Sequence, residues 1–181
     1  MKSVLFEIKV DEDRSLVLPE LDEAEHIFSL IDRDRKHLEV WLPWVAHTHG
    51  PQDTRDNLIQ RIESFRDKTQ ASFYGTYKGD IIASVGFVSL EGGEGEIGYW
   101  LLSEHQGKGH ITTFVKACVD YGFKELGLER IVIKCADKNV GSAAVAERLG
   151  FALSYEEEPD RERGGVMYPT LVYMLDKSDY L

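Results

Sequence analysis

Apolar and polar residues alternate over Val4, Phe6, Ile8 and Val10, the period of a strand with one face on a core and the other in water. Asp11-Glu12-Asp13 turns the chain, and Ser15-Leu16-Val17-Leu18 predicts a second short strand. Pro19-Glu20 then opens a helix to about Asp34, because Leu21, Ala24, Ile27, Phe28 and Ile31 share one helical face and proline suits a first turn. Leu38-Glu39-Val40-Trp41-Leu42-Pro43-Trp44 breaks that period: Pro43 interrupts the helical ladder, and two tryptophans around it cannot both face a helix core. Asp53 or Thr54 is the expected cap of the next helix, which runs to about Lys68 with Leu58, Ile62 and Phe65 inward. Residues 71–77 and 81–90 read as strands joined by the hairpin turn Lys78-Gly79-Asp80, and Glu91-Gly92-Gly93-Glu94-Gly95 turns the chain into a third. These three strands predict an antiparallel meander.

The third strand leads into the most informative stretch. Ile97, Tyr99 and Leu101 alternate with Gly98, Trp100 and Leu102, a run suited to a strand buried on both faces. Gln106-Gly107-Lys108-Gly109 follows, with two glycines that accept backbone angles other residues resist. Phe114, Val115, Cys118, Val119 and Phe123 then fall at helical spacing, which predicts a helix over residues 109–126 with Thr112 and Thr113 in its first turn. Free backbone N–H groups at a helix N-terminus form an anion site, and phosphate is the usual guest. Two phosphate motifs are excluded. No Gly-x-x-x-x-Gly-Lys-Ser/Thr occurs, and Thr112 stands where a dinucleotide fingerprint needs its third glycine. The antiparallel meander upstream is also the wrong context for a dinucleotide βαβ unit. Downstream, residues 131–136 read as a buried strand whose crossover implies parallel pairing with the strand through Tyr99. A short helix over 142–149, with Asn139 or Ser142 as cap, a strand over 152–157, a charged loop over 158–165 and a last strand over 166–175 complete the chain.

Composition narrows the function classes. With 181 residues, 43% hydrophobic and 29% charged, the chain reads as one globular domain over residues 1–181. No apolar run approaches the roughly 20 residues of a membrane span. Glu7 and Asp11 stand where a signal peptide would stay apolar, so a cytoplasmic protein is expected, with no membrane partner. Cys118 and Cys135 lie inside apolar patterns and read as small core residues. A net charge of −11 argues against a nucleic-acid partner and suits a positively charged substrate. His47-Thr48-His49 has no carboxylate or cysteine at ligand spacing, so no metal is expected.

The loop Gln106-Gly107-Lys108-Gly109-His110-Ile111 resembles the Gln/Arg-x-x-Gly-x-Gly/Ala pyrophosphate loop of the GNAT superfamily, the acyl-CoA-dependent N-acetyltransferases. Glu96-Ile97-Gly98-Tyr99-Trp100 before it, and Asn139-Val140-Gly141-Ser142 with Leu149-Gly150-Phe151 after it, resemble the Rim-type branch, which acetylates the N-termini of ribosomal proteins. The resemblance runs from about Leu16 onward, and Ile111 departs from it where a small residue is usual. It implies an α/β (α+β) fold with a mixed, mostly antiparallel sheet of about seven strands. That sheet would splay between the fourth and fifth core strands and be flanked by about four helices.

The same resemblance implies acetyl-CoA as cosubstrate. Its phosphates would lie on the N–H groups of Gly107, Lys108, Gly109, His110 and Ile111 in the loop opened by Gln106, with Lys108 adding charge and Thr112 a hydroxyl. Its pantetheine arm would pair with the backbone of Leu101 and Leu102, and an N–H among residues 99–101 would hold the oxyanion. Asn139 would hold the cofactor's amide, and Ser142 would protonate the leaving thiolate. Ser142 gains that role because Ala146 stands where many relatives carry a tyrosine acid. Glu96 is the expected base, with Glu156, Glu157, Glu158 and Glu162 as rivals; Trp41, Trp44 and Tyr99 would bind the acceptor.

The function these features imply is acetyl transfer to a primary amine by direct attack in a ternary complex, with the N-terminal α-amine of a ribosomal protein as the first choice. An α-amine (pKa about 7.7–8.0) is roughly a tenth neutral at pH 7, whereas a lysine side chain (about 10.4) is neutral to under about 0.1%, so a site with one base suits the former. A small-molecule acetyltransferase acting on a polyamine, aminoglycoside or amino acid, and a non-catalytic CoA-binding module, are the alternatives. The alternating segment at residues 4–10 could pair two copies into a homodimer.

Overall fold

Eight strands form the main sheet: β1 (Val4–Lys9), β2 (Arg14–Pro19), β3 (Ala71–Tyr77), β4 (Asp80–Glu91), β5 (Glu94–Leu101), β6 (Arg130–Ala136), β7 (Ala152–Glu157) and, after a two-stranded hairpin of β8 (Glu162–Arg163) and β9 (Val166–Met167), β10 (Thr170–Asp176). Their order is β1-β2-β3-β4-β5-β6-β10-β7, and every neighbouring pair is antiparallel except β5 with β6. This is a computed structural model, and it describes residues 4–159, 162–163 and 166–180. The helices are α1 (Ala24–Arg33), α2 (Arg35–Leu38), α3 (Pro51–Arg66), α4 (His110–Lys124), α5 (Val140–Arg148) and α6 (Lys177–Tyr180). None among the described residues is long and apolar enough to cross a membrane.

Side chains alternate across a strand, so a sheet covered on both faces needs apolar residues at consecutive positions. The chain supplies them. Leu16 and Leu18, Phe73, Ile97 and Leu101 point to the face carrying Phe114, Val115 and Cys118 of α4 and Val145 and Ala146 of α5. Their neighbours Val17, Tyr74 and Trp100 point to the other face, where Ile27 and Ile31 of α1 and Leu58 of α3 close a second core. The meander turns use the left-handed angles that tight hairpins need: Lys78 and Gly79 have φ of 52° and 88°, Gly92 and Gly93 of 59° and 83°.

Several boundaries differ from the sequence-based expectation. Pro19 closes β2, so a short 3-10 turn (Leu21–Glu23) precedes α1. Helix α3 begins at Pro51; Asp53 is its third residue and reaches back to accept the N–H groups of His49 (2.7 Å) and Gly50 (3.1 Å). The expected last strand over 166–175 is two strands, β9 and β10, parted at Tyr168-Pro169, where proline has no N–H to donate. The expected charged loop at 158–165 contains β8; residues 160, 161, 164 and 165 lie outside the described set.

The parallel pair β5–β6 carries the feature that matters most. Glu94 to Ile97 pair with Arg130 to Ile133, and there the pairing ends. Beyond it Tyr99, Trp100 and Leu101 pair only with β4, whereas Lys134, Cys135 and Ala136 pair only with β10. The sheet therefore parts between β5 and β6, the two strands expected to splay. Beside the parting, Gly86 of β4 and Gly98 of β5 are register partners, so two adjacent strands lack side chains at one level. A Cβ on Gly86 would lie 2.3 Å from the carbonyl oxygen of Ala71. Gly86→Ala is expected to destabilise the fold by about 1–3 kcal/mol, read as a lower urea midpoint at unchanged slope.

Candidate active site

Leu102 ends β5's run, and a 3-10 turn (Ser103–His105) carries the chain to the glycine loop. Asp34, following α1, fixes that turn: its carboxylate accepts from Ser103 N (2.7 Å) and Ser103 Oγ (2.6 Å). Gln106 Nε2 lies 3.2 Å from His37 Nε2, and Lys108 Nζ donates to the Glu104 carbonyl (2.9 Å). Gly107 and Gly109 have φ of 72° and 76° with open space around them, so these glycines serve backbone angle alone. The first bond of the following helix runs from Thr113 N to Gly109 O (3.1 Å). Among the described residues, the N–H groups of residues 107–112 have no acceptor in the protein. Six consecutive free amides at the start of a 15-residue helix are a ready anion site.

The side chains of this loop divide by direction. His110 is buried between Tyr77 (ring centroids 4.6 Å) and Phe114, so only its backbone faces the anion site. Burial and the neighbouring Arg14 charge hold its pKa below the usual histidine value, which keeps it neutral at pH 7. Ile111 packs on the core. Arg14 of β2 donates to Thr113 Oγ1 (3.1 Å) from an ion pair with Asp11 (2.7 Å), bringing a cation close to the loop.

At the parting of β5 and β6, backbone groups of alternate residues point to opposite neighbours. Leu102 N donates to Ile82 O (3.0 Å) and Leu102 O accepts from His105 N (3.0 Å), so this residue's backbone is already committed. The open edge belongs to Tyr99 and Leu101, whereas Leu102, also expected to pair with the cosubstrate, has both backbone groups bonded within the protein. The Tyr99 side chain reaches α5: its hydroxyl lies 2.8 Å from Ser142 Oγ and 3.1 Å from Ser142 O. Burial raises the Tyr99 pKa well above its ordinary value, so the phenol stays protonated at neutral pH. Asn139 caps α5 through Oδ1 to Ser142 N (3.2 Å), leaving its side-chain N–H groups for a ligand. Ala146, at the position where relatives carry tyrosine, is fully buried, and the Tyr99 phenol reaches the Ser142 end of α5 from the opposite strand.

The carboxylates form a separate group. Glu96 sits on β5 two residues before Gly98, where β5 and β6 are still paired, and its side chain is about one-third exposed (36%). Lys134 Nζ lies 3.9 Å from Glu96 and 3.1 Å from Glu157 of β7. Burial opposes the Lys134 charge, but the bond to Glu157 and the charge of Glu96 outweigh it and raise the lysine pKa. Glu96 lies at the rim and does not line the cleft described next. Glu156 and Glu157 are on β7, Glu158 follows it, and Glu162 lies in β8.

On the α1/α3 face, a cleft of about 550 Å³ lies over Gly98. Trp44, Tyr99 and Trp100 line it together with Ser72, Tyr74 and Ser84 of the sheet and Thr54, Asn57 and Arg61 of α3. Trp44 is therefore where the sequence puts it. Trp41 is not: it packs on Tyr168 (ring centroids 5.7 Å), away from the cleft lining. His47 and Thr48 line the cleft, and no cluster of metal-ligating side chains exists among the described residues. Sequence reasoning missed Arg61, Asn57, Thr54 and Asp34. A signal existed for one of them: Thr54, Leu58 and Arg61 fall at i, i+4 and i+7, placing a cation on the buried stripe of α3.

Comparison with known proteins agrees with this geometry. Residues 15–152 match the family model described as an acetyltransferase (GNAT) domain. The chain is 31% identical to the ribosomal-protein-serine acetyltransferase of Escherichia coli K12, over 81% of this chain and 83% of that one. Among solved structures, the ribosomal-protein-S5-alanine acetyltransferase of Vibrio fischeri is 26% identical, with a TM-score of 0.87 over 97% of this chain and 99% of that one. The microcin C7 self-immunity acetyltransferase MccE, in complex with acetyl-CoA and AMP, is 27% identical, with a TM-score of 0.87 over 93% and 95%. For the anion loop, Gly109→Ala forces a left-handed angle on a residue with a Cβ, a cost of about 1–2 kcal/mol. Calorimetry should find CoA binding weakened by about fivefold or more.

Proposed function

Because this chain belongs to the GNAT family of acetyltransferases, acyl-CoA-dependent N-acetyltransferases, we propose that it moves the acetyl group of acetyl-CoA onto the N-terminal α-amine of a protein, by direct attack in a ternary complex. The observation that carries this reading is the pairing of six free amides with an open strand edge on β5. Residues 107–112 hold the phosphates through backbone N–H groups, with Lys108 beside them. Tyr99 and Leu101 offer their backbone groups to the pantetheine arm as a neighbouring strand would. Asn139 donates its side-chain amide to the same arm. Acetyl-CoA supplies an activated thioester; the new N–C bond forms as the C–S bond breaks.

The residues around that carbonyl divide the remaining work. An N–H on the open edge of β5 receives the developing oxyanion, where a fixed dipole needs no reorganisation. Ser142 gives a proton to the departing sulfur and recovers one from the Tyr99 hydroxyl bonded to it. The amine enters through the cleft over Gly98, with Trp44 as a wall, and loses its proton through water toward Glu96. The curated relative that acetylates ribosomal-protein serine, and the solved neighbour that acetylates ribosomal protein S5, support a protein N-terminus as acceptor.

Acetyl-CoA mixed with peptides beginning in Ala, Ser or Thr should release thiol and add one acetyl group at the N-terminus. A peptide with a blocked N-terminus and an internal lysine should stay unmodified. Turnover confined to lysine side chains, or no CoA binding, would contradict the reading. Ser142→Ala is expected to lower kcat by about a hundredfold or more, with little change in the Kd of CoA. The wild-type rate should climb with pH toward about 8 as the α-amine loses its proton.

A further inference from the structure

Arg61 is unusual for a cation in a protein of net charge −11. Four other arginines lie against carboxylates, Arg14 with Asp11, Arg33 with Glu104, Arg35 with Asp32 and Arg130 with Asp176, and Arg55 donates to the Leu21 carbonyl. Arg61 lies against neutral groups: Nε donates to Asn57 Oδ1 (2.8 Å), Nη1 donates to Ser84 Oγ (3.0 Å), and its Cζ sits 4.8 Å from the Tyr74 ring centroid. These contacts fix the guanidinium on the cleft wall and leave the rest of its donor fork unused. No carboxylate among the described residues neutralises it.

Two further groups in the same cleft are unsatisfied. Trp100 Nε1 and Thr54 Oγ1 are buried polar atoms without a partner among the described residues, in side chains only 7% and 3% exposed. A buried donor left unmade costs about 1–3 kcal/mol, so such atoms mark where a ligand belongs. Register brings Trp100 beside Arg61, and Thr54 lines the same cleft from α3. Tyr74, Ser84 and Trp100 form one row across β3, β4 and β5 on the face that α3 covers, and Arg61 bridges from α3 onto that row. Trp100 Nε1 and the guanidinium can only donate; the threonine hydroxyl can do either. The one acidic residue among the lining residues, Asp53, is turned to the backbone N–H groups of His49 and Gly50 ahead of α3. The wall thus presents donors and a guanidinium whose hydrogen bonds go to neutral groups.

We propose that Arg61, with Trp100 Nε1 and Thr54 Oγ1, receives a carboxylate carried by the acceptor close to its reactive amine. Resting on the proposed function, this makes the preferred substrate a protein N-terminus with Asp or Glu among its first residues after the amine. The guanidinium supplies the charge, the indole and hydroxyl supply directed hydrogen bonds, and the cleft beside them takes the backbone of the peptide.

The test compares acetylation of matched peptides that begin with Ser and carry Asp, Asn, Glu or Gln at the second or third position, with the free amino acids Asp and Ser alongside. Wild-type protein should favour the acidic peptide over its amide by about tenfold or more in kcat/KM, the scale of one charge-assisted hydrogen bond. Arg61→Gln should remove that preference, lowering kcat/KM for the acidic peptide far more than for its amide and leaving the Kd of CoA close to wild type; Arg61→Lys should restore part of it. Equal rates on acid and amide peptides, or a loss in Arg61→Gln that falls on both alike, overturns the inference and leaves the protein N-terminal reading standing. Arg61-dependent acetylation of free Asp with no peptide acetylated sustains the carboxylate site and overturns the protein N-terminal reading instead.

Discussion

A sheet that opens along part of one strand must leave backbone groups without partners, and unpaired N–H and C=O groups inside a protein are costly unless something else bonds them. Here β5 and β6 separate after Ile97 and Ile133, and the chain answers within a few residues by a glycine loop with six more free amides. Two sets of unmet backbone donors along one continuous segment match the two parts of a single ligand: a polar arm and a charged diphosphate. Much of the remaining structure keeps these groups in place. The two apolar cores clamp β5 from both faces, and Asp34 holds the turn between the strand and the loop.

The same strand serves both faces of the sheet because its side chains alternate. Tyr99 points toward α5 and meets Ser142, joining the two sides of the parting. Gly98 and Trp100 point toward α1 and α3, where the cleft lies. Under the proposed function, an amine entering from one face and a thioester lying in the parting would meet at a backbone position flanked by Gly98. Local charge overrides the global balance at this point: a protein of net charge −11 keeps bare amides in its loop and an unneutralised guanidinium in its cleft.

The elements most legible in the sequence were those whose cause is local. The Lys78-Gly79 and Gly92-Gly93 turns, the glycine loop and the helix after it rest on backbone angle and short-range period, and they fall within a residue or two of expectation. The antiparallel meander and the parallel β5–β6 crossover followed from the same signals, and the mixed, mostly antiparallel sheet as a whole was implied by the family resemblance. What the sequence hid depends on distant pairing. The commitment of Leu102 comes from Ile82, twenty residues earlier in the chain, and the anchoring of Ser103 comes from Asp34. Trp41 was expected beside Trp44 but finds Tyr168, in the segment where Pro169 breaks the expected last strand. Arg61 was visible as a charge on an apolar stripe, yet its meaning needed the row of Tyr74, Ser84 and Trp100, which only strand register assembles.

Backbone amides that bind a ligand lose their exchange with water, so amide hydrogen exchange resolved by residue, with and without CoA, addresses the account at its root. CoA should slow exchange at residues 107–112 and at Tyr99 and Leu101, and leave Leu102, already bonded to Ile82, unchanged. Protection that appears elsewhere in the chain while these amides exchange as before would contradict it.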